Sequence, residues 1–335
     1  MDGATHGGTH AYARGIVEAG KAVDGSYRDV DGLAVSSVGL GTYLGDADDE
    51  TDVLYIEAIV EAVSLGCNVV DSAANYRFQR SERAIGAALE RILRTGAADR
   101  SALVVATKGG YVSFDGSPPA NREAARRYVA ETFVDSKVCE PSDFAANFQH
   151  CMAPRYLDHQ IGQSLSNLGL DAIDIYYVHN PEGQLRELGR ATFEARIRSA
   201  FELLERVVGE GRIGRYGVAT WNGFRVPPSA PDHLSLERLV AIAREVGGDG
   251  HHFRAIQLPY NLAMPEAFAL FNQSVGGDVV PTLEAAARLG VSVFASASLM
   301  QSRLTGDLPE EVGAAFPLES SAAMALQFVR SSPGV

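Results

Sequence analysis

The stretch Asn68-Val-Val-Asp-Ser-Ala-Ala-Asn-Tyr76 sets a carboxylate and a phenol close together, directly after a short apolar run. Val69 and Val70 read as the end of a buried strand, so Asp71 falls where an α/β strand runs out into its loop. Ser81-Glu82-Arg83 then predicts a helix start with Ser81 as N-cap. Two more ionisable residues end apolar runs in the same way: Lys108, after Leu103–Ala106, and His179, after Ile173–Val178. Residues just beyond strand ends converge on one mouth when the strands close into a barrel. An ammonium at the end of a buried strand needs a carboxylate partner, and Asp71 is the neighbouring candidate. A lysine beside a phenol favours the phenolate, which should draw Tyr76 down from its ordinary value of ~10. Tyr76 would then donate a proton to a carbonyl oxygen, with His179 as a second hydrogen-bond donor. Taken singly, Asp71 reads as a loop cap and Tyr76 as an interfacial aromatic; the four together carry the chemical reading.

Those strand ends belong to a repeating pattern. A short strand at Val38–Tyr43 precedes a helix over 48–65 with Ile56, Ile59, Val60 and Val63 on one face. Further strands are predicted at 68–71, 103–106, 173–178, 215–219, 254–258 and 291–294. Helices are predicted at 81–94, 155–168, 192–209, 235–245, 281–289 and 320–330. Ahead of them, 27–35 reads as a hairpin turning at Asp31-Gly32, and 1–26 lacks periodicity and reads as a flexible extension. Residues 111–154 form an irregular insertion far longer than an ordinary α/β connection. Seven strands with right-handed crossovers allow an open doubly wound sheet or an eight-stranded barrel. No Gly-x-Gly-x-x-Gly follows an early strand, so the expected fold is α/β, a (β/α)8 barrel over 27–335.

Composition narrows the function. The chain has 335 residues, 46% hydrophobic, enough for one large barrel or two smaller domains. A formal charge of −13 argues against nucleic acid, whose phosphates call for clustered cations. No apolar run approaches the ~20 residues of a membrane span, and the first residues lack the order of a signal peptide. A soluble cytoplasmic protein is expected, its oligomeric state unreadable. Cys67, Cys139 and Cys151 give neither a disulfide framework nor metal-ligand spacing, and His251-His252 has no ligand partner nearby. No metal is expected.

The chain resembles the aldo-keto reductases. The resemblance rests on Gly39-Leu-Gly-Thr-Tyr43, Asn68–Tyr76 followed by Ser81-Glu82, Ala106-Thr-Lys108, and Asp174-Ile-Tyr-Tyr-Val-His179. Gly211-Arg-Ile-Gly-Arg-Tyr-Gly-Val218 and Ala255-Ile-Gln-Leu-Pro-Tyr-Asn261 extend it. It implies a barrel that binds NADP, with NAD left open, and reduces an aldehyde, ketone or sugar carbonyl or oxidises the alcohol. Tyr76 would be the general acid, tuned by Lys108 and Asp71, with His179 orienting the carbonyl. The nicotinamide carboxamide would meet Gln257 and Thr220, and Gly41-Thr42 would approach the ring and ribose. Asp71, Ser296 and Leu299 complete the implied cofactor set; Tyr43, Tyr111, Asn180 and Trp221 form the implied substrate pocket.

Three departures from the family pattern stand out. Ala219-Thr220 replaces the usual Ser-Asn, leaving Thr220 or Asn222 to hydrogen-bond. Ser296-Ala297-Ser298-Leu299 replaces aromatic-Ser-Pro-Leu, so Tyr43, Tyr260 or Trp221 must cover the nicotinamide instead. The sequence also stops at Val335, where an eighth strand should begin, and truncation is expected in preference to a seven-stranded form. Strands one and seven would otherwise keep open edges. Phe114, Tyr128, Phe133, Phe144 and Phe148 of the insertion either wall the substrate side of a lid or anchor a surface loop. Glu182 is either a pocket residue or a helix-cap charge. A barrel that binds cofactor without catalysis is the alternative function.

Overall fold

Apolar runs without alternation form strands covered on both faces, and here they build one parallel sheet. The structure is a computed structural model and describes residues 3–145 and 149–335. In chain order its elements are α1 (His6–Glu18), β1 (Tyr27–Val30), β2 (Leu33–Ser36), β3 (Leu40–Gly41), α2 (Asp49–Ser64), β4 (Val69–Asp71), α3 (Arg80–Thr95) and β5 (Val104–Gly109). Next come α4 (Arg122–Val129), β6 (Phe144–Ala145), β7 (His150–Cys151), α5 (Pro154–Leu168), β8 (Ile173–His179), α6 (Glu182–Leu188) and α7 (Arg190–Gly209). The remainder is β9 (Ile213–Ala219), α8 (Leu236–Gly247), β10 (Phe253–Pro259), α9 (Glu266–Ala269), β11 (Phe271–Val275), β12 (Asp278–Pro281), α10 (Thr282–Leu289), β13 (Ser292–Ser296), α11 (Glu310–Ala315) and α12 (Ser321–Ser331).

The sheet runs β3-β4-β5-β8-β9-β10-β13, every neighbour parallel to the next. Strand order follows chain order without reversal. That excludes the doubly wound alternative, which turns back at a switch point, and gives the nearly closed sheet of a (β/α)8 barrel. Among the described residues, neither β3 nor β13 has a strand on its outer edge, as expected for seven strands. Two cores sandwich the sheet. Val69, Val104, Ala106, Ile175, Tyr177 and Ala255 fill the barrel interior, closed from below by Val30, Leu33 and Val35 of the β1–β2 hairpin. Outside, Ile85, Leu89, Ile161, Phe201 and Leu204 pack the helices onto the strands. Plugging the lower end leaves the carboxyl ends of the strands as the open mouth.

Several expectations need correction. The extension 1–26 contains α1, capped by Thr5, whose hydroxyl oxygen accepts from Gly8 N–H (3.0 Å). It lies so close to the barrel that a Cβ on Gly8 would stand 2.4 Å from Ser101 O. Thr9 accepts from Ala34 N–H (3.1 Å), and Tyr12 donates to Val63 O. The buried residues of this contact are Thr9 and Ala13, with Tyr12 half-buried against the core and Ile16 beside Gly66, too few large apolar side chains to mark a helical period. Ser81 is not an N-cap: α3 begins at Arg80, and the Ser81 hydroxyl donates to Thr42 O (2.7 Å), tying the helix to the end of β3.

The insertion carries α4 and the small β6–β7 pair. Phe133 and Phe144 are buried together with Val129, Cys139, Cys151 and Tyr156, and Phe114 and Tyr128 pack against that cluster. These four aromatics pack in a cluster that includes Tyr156 of α5, and none of them lines the cavity at the strand ends, which fits the surface-loop anchor. Phe148 lies outside the described residues. Among the described residues, no helix is long and apolar enough to cross a membrane.

Candidate active site

Parallel pairing brings the four ionisable residues together. Lys108 is 1% exposed, and its Nζ lies 2.5 Å from Asp71 Oδ2 and 2.6 Å from Ser72 O. The second Asp71 oxygen accepts from Gln257 Nε2 at 2.9 Å, so both carboxylate oxygens are engaged. The Lys108 ammonium sits 4.9 Å from the centroid of the Tyr76 ring. Tyr76 meets His179 edge-on at 5.8 Å and Tyr43 at 5.0 Å.

The electrostatics reverse one expectation. Burial pushes the Tyr76 phenol above its ordinary value, and this outweighs the downward pull of the Lys108 charge. A net depression was expected because the sequence shows the lysine and hides the burial. Burial works against the Lys108 charge, yet Asp71 and then Tyr76 more than offset it, and its pKa rises. At neutral pH the pair is therefore ammonium and neutral phenol, the state in which a phenol can give up a proton. His179 is held well below the usual imidazole range, first by burial and then by Lys108 and His150. It is neutral, and its Nδ1 is buried without a hydrogen-bond partner among the described residues.

A cavity of about 750 Å³ opens at this mouth. Its walls include Gly41, Thr42, Tyr43, Asp71, Tyr76, Tyr111, His179, Asn180, Thr220, Trp221, Gln257, Ser296 and Leu299, every expected site residue except Lys108, which stands behind Asp71. The cavity also continues along the unpaired edges of β3 and β13 to Ser37 and Arg330, whose Nε donates to the Ser37 hydroxyl at 2.9 Å. Two features suit an extended ligand. A Cβ on Gly41 would meet nothing within 4 Å, so the backbone is open there. The loop after β13 bends through positive φ at Ala297, Met300, Gln301 and Ser302, presenting main chain along the wall.

Supporting residues escaped the sequence reading. Arg77, Phe78 and Gln79, directly after Tyr76, all have positive φ (47°, 58° and 71°), a conformation that disfavours L side chains. Arg77 holds this turn by donating to Asp46 O (2.7 Å), Asp48 O (3.1 Å) and Asp52 Oδ1 (2.7 Å). The Gln79 side chain donates to Phe114 O at 3.0 Å, stitching the insertion to the Tyr76 loop. Nothing in their residue types signals such a turn. Glu182 is the helix-start charge of the two expected readings, the acidic residue in the first turn of α6, and its Oε1 also accepts from the Trp221 and Asn222 N–H groups at 2.7 and 3.0 Å. It anchors the loop carrying Trp221. Glu182→Ala takes the acceptor from two part-buried N–H groups of exposed residues and is expected to cost about 1 kcal/mol, read by urea denaturation, with faster proteolysis at 220–225. Unchanged stability would show that the carboxylate is not the anchor.

His150 is also buried, and burial lowers its pKa from 6.5 to about 4. Between those values the unfolded chain binds a proton that the folded chain refuses. Stability from this residue is therefore complete above pH 6.5 and lost as the pH falls toward 4. At ~1.4 kcal/mol for each pH unit of that window, the loss reaches about 3 kcal/mol. Glu82 and Glu182, raised by burial, act with the opposite sign. The clean measurement is consequently the difference in thermal midpoint between wild type and His150→Gln, which should narrow on acidification. A constant difference would refute the assignment.

Fold and site together define a parallel α/β barrel with a lysine–aspartate pair, a phenol and a neutral imidazole at its strand ends. The chain belongs to the aldo/keto reductase family, whose model matches residues 37–226. The NADH-specific methylglyoxal reductase of Escherichia coli (strain K12) is 26% identical over 192 residues, 49% of this chain and 50% of that protein. The D-threo-aldose 1-dehydrogenase of a Pseudomonas sp is 27% identical over 196 residues, 56% of this chain and 51% of that protein. The chain thus spans about half the length of these curated relatives. An aldo/keto reductase from Klebsiella pneumoniae, solved with NADP and acetate, superposes with a TM-score of 0.60 at 19% identity, covering 93% of this chain and 83% of that one. The glycerol dehydrogenase of Gluconobacter oxydans gives 0.57 at 19% identity, covering 93% and 85%. At such identity the structural likeness speaks for the fold alone.

Proposed function

We propose that this protein is an NADP-dependent oxidoreductase that reduces the carbonyl of a small aldehyde, ketone or sugar, or oxidises the corresponding alcohol. The observation that carries the reading is the Lys108–Asp71 pair at 2.5 Å with the Tyr76 ring 4.9 Å from the same ammonium, opening on a cavity that His179 also lines. A nicotinamide dinucleotide bound along that cavity supplies the hydride. Gly41, Thr42, Asp71, Thr220, Gln257, Ser296 and Leu299 are the residues that would hold it. The open backbone at Gly41 and the main-chain wall after β13 support that fit.

Tyr76, neutral when the substrate arrives, gives its proton to the carbonyl oxygen as negative charge develops there. The Lys108 ammonium then stabilises the phenolate, and Asp71 keeps the ammonium in place. Neutral His179 offers a hydrogen bond to the same oxygen. Tyr43, Tyr111 and Trp221 surround the substrate with rings, and Asn180 adds an amide, a lining suited to a compact carbonyl with some polarity. The similar proteins named for methylglyoxal and aldose substrates agree with that size class.

The test is titration of the purified chain with NADPH and with NADH, followed by a panel of methylglyoxal, small aldoses and aromatic aldehydes. Binding of NADPH ahead of NADH, with oxidation driven by at least one carbonyl, is the expected result. Binding without turnover across the panel would favour a cofactor-binding barrel without catalysis, and absence of binding would defeat both readings.

A further inference from the structure

His150 comes from the insertion, yet its ring reaches the catalytic end of a different strand. β7 pairs antiparallel with the residues just after β5. Cys151 N–H donates to Gly110 O (2.8 Å), Val112 N–H donates to Gln149 O (2.8 Å), and Tyr111 lies opposite His150. From there the imidazole Nε2 lies 2.6 Å from the main-chain oxygen of His179. A carbonyl can only accept, so Nε2 carries the proton and Nδ1 is the acceptor. Nδ1 lies 2.9 Å from Gln184 Nε2, and Gln184 Oε1 accepts from Arg196 Nη1 at 2.9 Å. The guanidinium thus orients the amide, the amide orients the imidazole, and the imidazole holds the His179 carbonyl.

Gly110 leaves room for this crossing. Its φ is +132°, and a Cβ there would stand 2.8 Å from His150 Nε2 and 3.3 Å from His179 O. The sheet also holds this backbone, His179 pairing with Ala219 of β9 and Asn180 N–H donating to Ala219 O at 2.6 Å, whereas the His179 ring Nδ1 has no hydrogen-bond partner among the described residues. Its ring is packed edge-on against Tyr76 at 5.8 Å and Tyr111 at 5.0 Å, and Tyr111 rests in turn on His150 at 5.1 Å. The following residue, Asn180, has a φ of 46°, so the peptide after His179 sits in a conformation that needs support.

We propose that His150 is a positioning residue of the active site: by holding the His179 carbonyl and the Tyr111 ring, it sets the aim of the His179 imidazole toward Tyr76. The kinetic part of this proposal rests on the oxidoreductase reading, whereas the structural part does not. The experiment compares His150→Ala with His150→Gln in the full chain. Glutamine can return an N–H near the Nε2 position; alanine returns nothing. Misaiming a catalytic group is expected to lower kcat in His150→Ala by roughly 10- to 100-fold, with NADPH affinity unchanged and most of kcat recovered in His150→Gln.

In parallel, the ring nitrogen resonances of His179 in ¹⁵N-histidine-labelled protein should move in His150→Ala and return toward wild type in His150→Gln. That readout needs no substrate, so failure to find turnover leaves it standing as the deciding test. A folded His150→Ala protein with wild-type His179 resonances overturns the proposal, as does a His150→Gln protein as displaced as the alanine variant. Should His150→Ala not fold, Gln184→Leu, which removes only the amide that orients the ring, takes its place. Unchanged His179 resonances in that variant would overturn the proposal equally.

Discussion

Tyr76→Phe is expected to lower kcat by ~10²–10⁴-fold, the usual worth of a positioned proton donor, while NADPH binds as before. The ring is retained, so its edge-on contacts with Tyr43 and His179 and its place beside the Lys108 ammonium persist. Only the hydroxyl goes, and folded stability should change little. On the proposed reading, what is lost is the proton that compensates charge on the carbonyl oxygen. The imidazole and the ammonium beside it do not replace it: His179 is kept neutral by burial and Lys108, and Lys108 is held as an ammonium by Asp71. Steady-state turnover and NADPH titration on the same preparation separate chemistry from binding. Wild-type kcat in this variant would remove Tyr76 from the role of acid.

Lys108→Met should damage stability and turnover together. The ammonium is 1% exposed and carries hydrogen bonds to Asp71 and Ser72 O, so its loss strips a buried carboxylate of its cation. Breaking one side of a buried pair costs about 3–5 kcal/mol. Asp71 is 21% exposed and keeps Gln257 as a donor, which places the expected value at the lower end. On the proposed reading turnover should fall by ~10²–10³-fold, the range for removing one electrostatic stabiliser, because the phenolate left by Tyr76 would lose its neighbouring positive charge. Urea denaturation reads the first effect, and turnover well below the unfolding midpoint reads the second. A stable variant with normal turnover would mean that the pair is incidental to both.

The barrel was legible in the sequence because parallel strands covered on both faces cannot alternate. Val104–Gly109 and Ile173–His179 are buried at every position, and their apolar runs mark them without any tertiary information. The residue that follows such a run stands at the mouth, which is why Asp71, Lys108 and His179 could be grouped while 37 and 71 residues apart in the chain. Short polar elements were not legible. α6 and the β11–β12 hairpin lie between longer elements, and each is too brief to establish a period. α1 was missed for a different reason: close backbone approach at Gly8 and small buried residues, Thr9 and Ala13, share its docking face with only Tyr12 and Ile16.

Residue type and order alone settle the strand ends, the chemical groups they carry and the family. Three-dimensional packing settles what state those groups are in and what holds them. The upward shift of Tyr76 depends on how much water its ring excludes, a quantity set by every element around it. The aromatics of the insertion turned toward α5 because that surface was within reach, and hydrophobicity by itself has no direction. His150 acquires its contact with His179 only when β7 pairs beside the end of β5, across a glycine that leaves space for it. Burial and long-range hydrogen bonding are properties of neighbours, and the chain's linear order does not name its neighbours.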